Sequence, residues 1–201
     1  MRPGRVVWRG APAAWLAGAL LTTGCSAYVQ ISTNDDLGIP VCTVSKLQSN
    51  PTILMAQAVP SAQQIPCMRS VPVGWTFARL QARNGEARFI LDNDREGVGA
   101  LTVILAPTCP SAGATEVPSD QPGARRYERV TRVSPGYGGD RYYVSPGSCI
   151  TYHFNLQGQS RAGPVAEISD ALGVVPRSAL ARQVKVNSGG RLELDPTGGT
   201  G

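Results

Sequence analysis

One histidine, His153, is the only imidazole this 201-residue chain can bring to acid–base chemistry. It lies in ITYHFNL, where strict alternation sets His153 beside Thr151 and Asn155 and opposes them to Ile150, Tyr152, Phe154 and Leu156. A histidine on such a polar strand face can exchange protons near neutral pH, so His153 is the sole candidate for catalysis by an imidazole. It excludes a His–His metal site and would have to serve any Ser–His–acid arrangement alone. No GxSxG-type turn supplies a nucleophile. A satisfied or solvent-facing strand histidine is the simpler expectation.

The turn DNDREG, residues 92–97, places Asp92, Asp94 and Glu96 at alternate positions with Gly97 in the sixth, as a calcium loop does. The twelfth position is Val103, where a bidentate glutamate is required, and the flanks read as strands. Charged turn chemistry is the expectation here, and no metal is assigned. Asp35 and Asp36 read as solubilising lead-in residues. With no GxxxxGK[ST], no GxGxxG context and no CxxC, no cofactor is expected.

Recognition chemistry is concentrated elsewhere. Tyr127, Tyr137, Tyr142, Tyr143 and Tyr152 fall within one stretch, interleaved with Arg125, Arg126, Arg129, Arg132 and Arg141. Guanidinium forks pair with carboxylates or phosphates, and tyrosines give flat amphipathic contact area. The candidate binding set is Arg125, Arg126, Arg129, Arg132, Arg141, Tyr127 and Tyr142, facing a protein or an anionic envelope polymer. Adjacent Tyr142 and Tyr143 must point to opposite strand faces, so at least one tyrosine belongs to the core.

The N-terminus carries an address. Arg2, Arg5 and Arg9 precede the uncharged run Ala11–Leu21, and Gly24 stands before Cys25. That order is an export signal. LLTTGC resembles the end of a bacterial lipoprotein signal peptide, with Thr22 where the pattern has an aliphatic residue. The resemblance implies cleavage after residue 24, lipidation of Cys25 by diacylglyceryl and palmitate-type chains, and residence on the outer face of the cell membrane. An ordinary cleaved signal and an uncut N-terminal anchor are the alternatives; the anchor is short against the roughly 20 apolar residues a spanning helix needs. Phrases such as IPCMRSVPVGW and GATEVPSDQPGARRYE are similar to those of uncharacterised exported proteins of high-GC Gram-positive bacteria.

Export changes two further readings. Four cysteines remain beyond Cys25, and Cys42, Cys67, Cys109 and Cys149 suit two disulfides in an oxidising compartment. Four cysteines permit three pairings, of which Cys42 with Cys67 and Cys109 with Cys149 is preferred. Residues 1–24 hold three arginines and no acid, so the net charge drops from +5 to about +2 on their removal. That argues against a nucleic-acid partner.

The remaining chain is long enough for one domain with a core. The expected organisation is a signal peptide over 1–24, a lipidated tether over 25–41, one α+β domain over 42–194 and a disordered tail over 195–201. Strands are expected at EARFILD, LTVIL, ITYHFNL, Thr52–Val59, Trp75–Ala82, Tyr127–Val133 and Arg141–Val144, with a hairpin at Asn84–Gly85. After Gly163 the apolar spacing turns helical, with Gly173 as the stop. Pro176 opens a second helix through Arg182, and RLEL at 191–194 reads as a last strand. The fold class is therefore α+β, mostly antiparallel sheet with one or two C-terminal helices, supported by disulfides. The functional expectation is a membrane-tethered, non-enzymatic extracytoplasmic binding domain. A small hydrolase using His153 and a structural accessory subunit of a membrane complex are the alternatives.

Overall fold

The structure, a computed structural model, describes residues 38–43, 51–158 and 162–196. Residues 1–24, Cys25, Asp35, Asp36, Lys46 and the tail from 197 lie outside the described residues. In chain order the elements are α1 (Pro51–Ala58), β1 (Gln64–Met68), β2 (Trp75–Arg83), β3 (Glu86–Asn93), β4 (Gly97–Ala106), β5 (Thr115–Val117), β6 (Arg125–Arg132), β7 (Tyr137–Ser145), β8 (Ser148–Leu156), α2 (Ala162–Ala171), β9 (Leu172–Pro176) and α3 (Arg177–Asn187).

Seven strands form one sheet in the order β2-β3-β4-β8-β7-β6-β5, and every pairing in it is antiparallel. Alternation decides its faces. Ala87, Phe89 and Leu91, then Leu101, Val103 and Leu105, then Ile150, Tyr152, Phe154 and Leu156 are buried on the inner face. The helices and the ribbon of β1 and β9 complete the core, to which Met55, Ile65, Ile168, Leu172 and Leu180 contribute.

Strand order forces one long connection. β4 lies beside β8, whereas β5 is at the far edge, so the chain crosses β8, β7 and β6 between them. The crossing runs over the outer face. Cys109 is bonded there to Cys149, which shares its side of β8 with Thr151, and Ala112 O accepts a 3.4 Å hydrogen bond from Arg129 Nη1. The second disulfide, Cys42–Cys67, pins the segment before α1 onto β1, where Met68 N donates to Pro40 O and Cys42 N to Met68 O. The bridges span 25 and 40 residues, loops whose closure stabilises by about 3–4 kcal/mol each in the chain-entropy account. Two such bonds point to an oxidising, extracytoplasmic setting. Among the described residues no helix is long and apolar enough to cross a membrane.

Three local expectations are corrected. Residues 52–58 are helix, not strand: Thr52, Met55, Ala56 and Val59 are all buried, a helical spacing, and Pro51 occupies the first position, which tolerates its missing N–H. A short apolar run such as Thr52–Val59 does not by itself settle the period. Gly173 does not end a helix. It sits in β9 opposite Cys67, where a side chain would strike Arg69 and the Cys42 sulfur. RLEL forms no strand; Leu194 is buried and Asp195 O accepts from Arg177 Nη2 at 2.7 Å. The helix after Pro176 does form and extends to Asn187.

Candidate functional site

The Arg/Tyr stretch folds into the hairpin β6–β7 and the following strand β8, and the pleat divides it. Register places Tyr127 opposite Tyr142 and Arg129 opposite Asp140, with Asp140 in turn opposite His153. These residues and Arg125 share the outer face. Arg126, Glu128, Arg141 and Tyr143 share the inner one. The seven predicted binding residues are therefore not one patch.

On the outer face Asp140 is the hub. Its Oδ1 is 2.7 Å from His153 Nδ1, and its Oδ2 accepts from Arg129 Nη2 at 2.7 Å and from Tyr142 Oη at 3.1 Å. Burial alone would raise its pKa, but the hydrogen bonds from His153, Arg129 and Tyr142 outweigh that, and the carboxyl lies below its ordinary value. Arg129 also donates to Tyr142 Oη at 2.6 Å and lies over the Tyr142 ring. Tyr142 is fully buried although it points outward, because the 107–114 crossing lies above that face.

The inner face holds a second charged knot. Glu128 accepts from Arg126 and from Arg141 Nε at 2.7 Å, and Arg141 Nη1 reaches Ser169 Oγ of α2 at 2.9 Å. Burial pushes Glu128 up, yet the two guanidiniums hold its pKa below the ordinary value. Asp120 joins the edge of the knot, 3.4 Å from Arg126 Nη1 and accepting from Tyr143 Oη at 2.9 Å. Burial pushes the Tyr143 phenol up to about 12. Arg125 is forked onto Glu116 at 3.0 and 2.7 Å, over the Tyr127 ring. Arg132 donates to Asn155 Oδ1 at 2.9 Å and to Leu156 O. All five arginines thus have partners inside the chain.

The acidic turn is likewise engaged locally. Asp92 Oδ1 accepts from Gly99 N, Asn93 Oδ1 from Arg95 N and Glu96 N, and buried Glu96 from Gly158 N. These bonds shape the β3–β4 turn, beside a cavity of about 590 Å³ that Asp94, Glu96 and Glu167 help to line. Among the described residues no three His, Cys, Asp or Glu side chains gather as metal ligands would.

A second cavity, of about 380 Å³, opens between the β1–β9 ribbon and the inner face of β7 and β8. Tyr143, Ile150 and Tyr152 line it from the sheet, with the two tyrosine rings tilted at 5.3 Å. Gln64, Val174 and Pro176 line it from the ribbon, and the 121–124 loop closes one side. No lining residue carries a formal charge. Gln64, one of the lining residues, has a buried Oε1 with no hydrogen-bond partner among the described residues. Concave, largely apolar clefts of ~300–1,000 Å³ with a few converging polar groups are the usual form of a small binding site. Neither cavity reaches His153.

Sequence reasoning named Tyr143 and Tyr152 only as members of the aromatic stretch and did not reach Gln64, Gln121 or Val174. The one signal within reach was the unbroken absence of charge in QQIPC and in LGVVP, two segments that pair as β1 and β9. Comparison of the chain with protein-family models, curated proteins and solved structures gives no match.

Proposed function

We propose that this chain is a membrane-tethered, non-enzymatic extracytoplasmic domain, held at the outer face of the cell membrane by lipid on Cys25, that binds a protein partner in the cleft between the ribbon and β7–β8. The observation that carries the reading is the uncharged cleft itself, lined by Tyr143 and Tyr152. Tyrosines are preferred anchors in interfaces, and no charge in the lining opposes burial of an apolar partner surface. An anionic envelope polymer has less support, because each candidate arginine already holds an internal acceptor.

Site-specific photocrosslinking in intact cells tests the site. A benzophenone side chain at Gln121 should yield a protein adduct, whereas the same group at Thr102, on the outer face, should not. Equal yields from both, or none from Gln121, would discard the cleft. Intact mass spectrometry of the membrane-extracted chain tests the tether: loss of residues 1–24 together with acyl mass on Cys25 is expected, and an unmodified Cys25 refutes it.

The hydrolase reading has one observation in its favour, the 2.7 Å contact between Asp140 and His153 Nδ1, which is how a carboxylate orients a general base. A panel of fluorogenic esters and amides decides it. Turnover abolished by His153→Ala with an unchanged melting temperature would support this reading, and equal background from both chains would end it.

A further inference from the structure

We infer that the occupant of this cleft is an extended, uncharged polypeptide segment that adds a strand to the open edge of β9. The inference rests on the cleft being the binding site and names what it binds.

The ribbon's hydrogen-bond phase is the starting point. Arg177 N donates to Gln63 O at 2.8 Å and Arg69 N to Ala171 O at 2.7 Å, in the same register that pairs Ile65 with Val175 and Cys67 with Gly173. In an antiparallel ladder, residues alternate between those that exchange bonds with the neighbour and those whose N–H and C=O point the other way. Gly173 and Val175 face β1, so Val174 directs its N–H and C=O away from it. Among the described residues β9 pairs with β1 alone, and Val174 has no other backbone partner. Pro176, with no N–H, ends the edge on one side.

That open edge borders the cleft, because Val174 and Pro176 are also lining residues. A segment paired there gains the Val174 donor and acceptor from its backbone. Its alternate side chains enter the cleft over Tyr143 and Tyr152, the arrangement of strand-addition recognition. The chemistry of those side chains follows from the lining. Placing a charge against Tyr143, Tyr152 and Ile150 would strip its water without offering a counter-ion, since the nearby Asp120 is already bonded to Tyr143 Oη. The apolar floor selects an aliphatic or aromatic side chain at the positions that enter it, with uncharged residues between. Glycans cannot supply the backbone pairing, and a second copy of the chain and the uncharged segment SAYVQISTN, residues 26–34, are told apart from a partner peptide by the last arm of the test.

The test leaves the protein unaltered. The ¹⁵N-labelled full chain in detergent micelles is titrated with acetylated, amidated pentapeptides of alternating Val and Thr. It is then titrated with the same peptides N-methylated at successive single positions. Shifts of the Val174 amide are expected, with affinity falling about tenfold for N-methylation at alternate positions only, from loss of strand hydrogen bonds. Replacing the central residue by Asp should abolish binding. Four outcomes overturn the inference. They are no shift at millimolar peptide, no alternation in the N-methyl series, equivalent shifts with neutral chito-oligosaccharide but not peptide, or a Val174 amide protected without peptide through self-association or through residues 26–37. Any of these alongside a persisting Gln121 crosslink leaves the cleft as a binding site and removes only the strand-addition mode; loss of the crosslink removes both.

Discussion

The charged hairpin wing has its Asp140 hub on the outer face of β7 and β8 and its Glu128 knot on the inner face beside the uncharged cleft, and wing and cleft treat their polar groups in opposite ways. In the wing, Asp140 and Glu128 each bind two or more partners, and five arginines find an acceptor within the chain. In the cleft there is no formal charge, yet Gln64 Oε1 and the outward groups of Val174 have no partner among the described residues. The region rich in charge thus meets nearly all of its own demands, with Arg132 Nε as the buried exception, and the region poor in charge keeps an open strand edge. Composition points to the first as the binding surface, whereas satisfaction of polar groups points to the second. The desolvation and pairing of each group decide what it can offer a partner, not its identity alone.

Several measurements would break or sharpen this contrast. The largest effect is expected from opening the cover of the wing. Cys109→Ser with Cys149→Ser should lower stability by about 2–5 kcal/mol in denaturant unfolding, and should expose the outer face to hydrogen exchange. Next comes the hub. Asp140→Ala leaves Arg129 and the buried Tyr142 hydroxyl without their acceptor and should cost about 2–3 kcal/mol, while leaving the Gln121 crosslink in place. If the crosslink vanished while the chain remained folded, the wing would be part of the recognition surface after all. For the same reason, charge reversal at Arg126 or Arg129 reports on folding first, because each would then oppose a carboxylate it now pairs.

A smaller, pH-dependent effect has a definite sign. Asp140 and Glu128 have lower pKa values folded than free, because hydrogen bonds and cations outweigh their burial. Their contribution is therefore full above the unfolded carboxylate values, about 4, and is lost as pH falls through the depressed folded values. The melting temperature should decline on the acid side below about pH 4, and Asp140→Asn should flatten that limb. Smallest of all is the exposed fork of Arg125 on Glu116: Arg125→Ala should leave the melting temperature unchanged within error, as solvent screens such pairs.

Much of the sheet was legible because alternation is local. EARFILD, LTVIL and ITYHFNL form β3, β4 and β8 with the anticipated residues inward, and the Asn84–Gly85 hairpin closes β2 on β3 with Gly85 at φ 84°. The preferred disulfide pairing is the one found. The ribbon was not legible. QIPCM is short and contains proline, and LGVVP straddles the expected end of one helix at Gly173 and the start of the next at Pro176; each is a strand only because the other pairs with it. The 52–58 helix was not legible as one because its window is short and its buried spacing is revealed only by packing.

By itself the sequence determined which way each sheet residue points. His153 faces away from Tyr152, and Tyr142 away from Tyr143, since side chains along a strand alternate whatever else the chain does. Only tertiary structure decided what those residues meet. Asp140 reaches His153 because β7 pairs with β8 in one register, and Tyr142 is buried because the β4–β5 connection must cross its face. The cleft exists only where Gln64, Gln121, Tyr143 and Val174 converge from four separate segments. Direction is set by bond geometry within a residue or two, whereas proximity depends on strand order and register, which are settled by the packing of the whole fold.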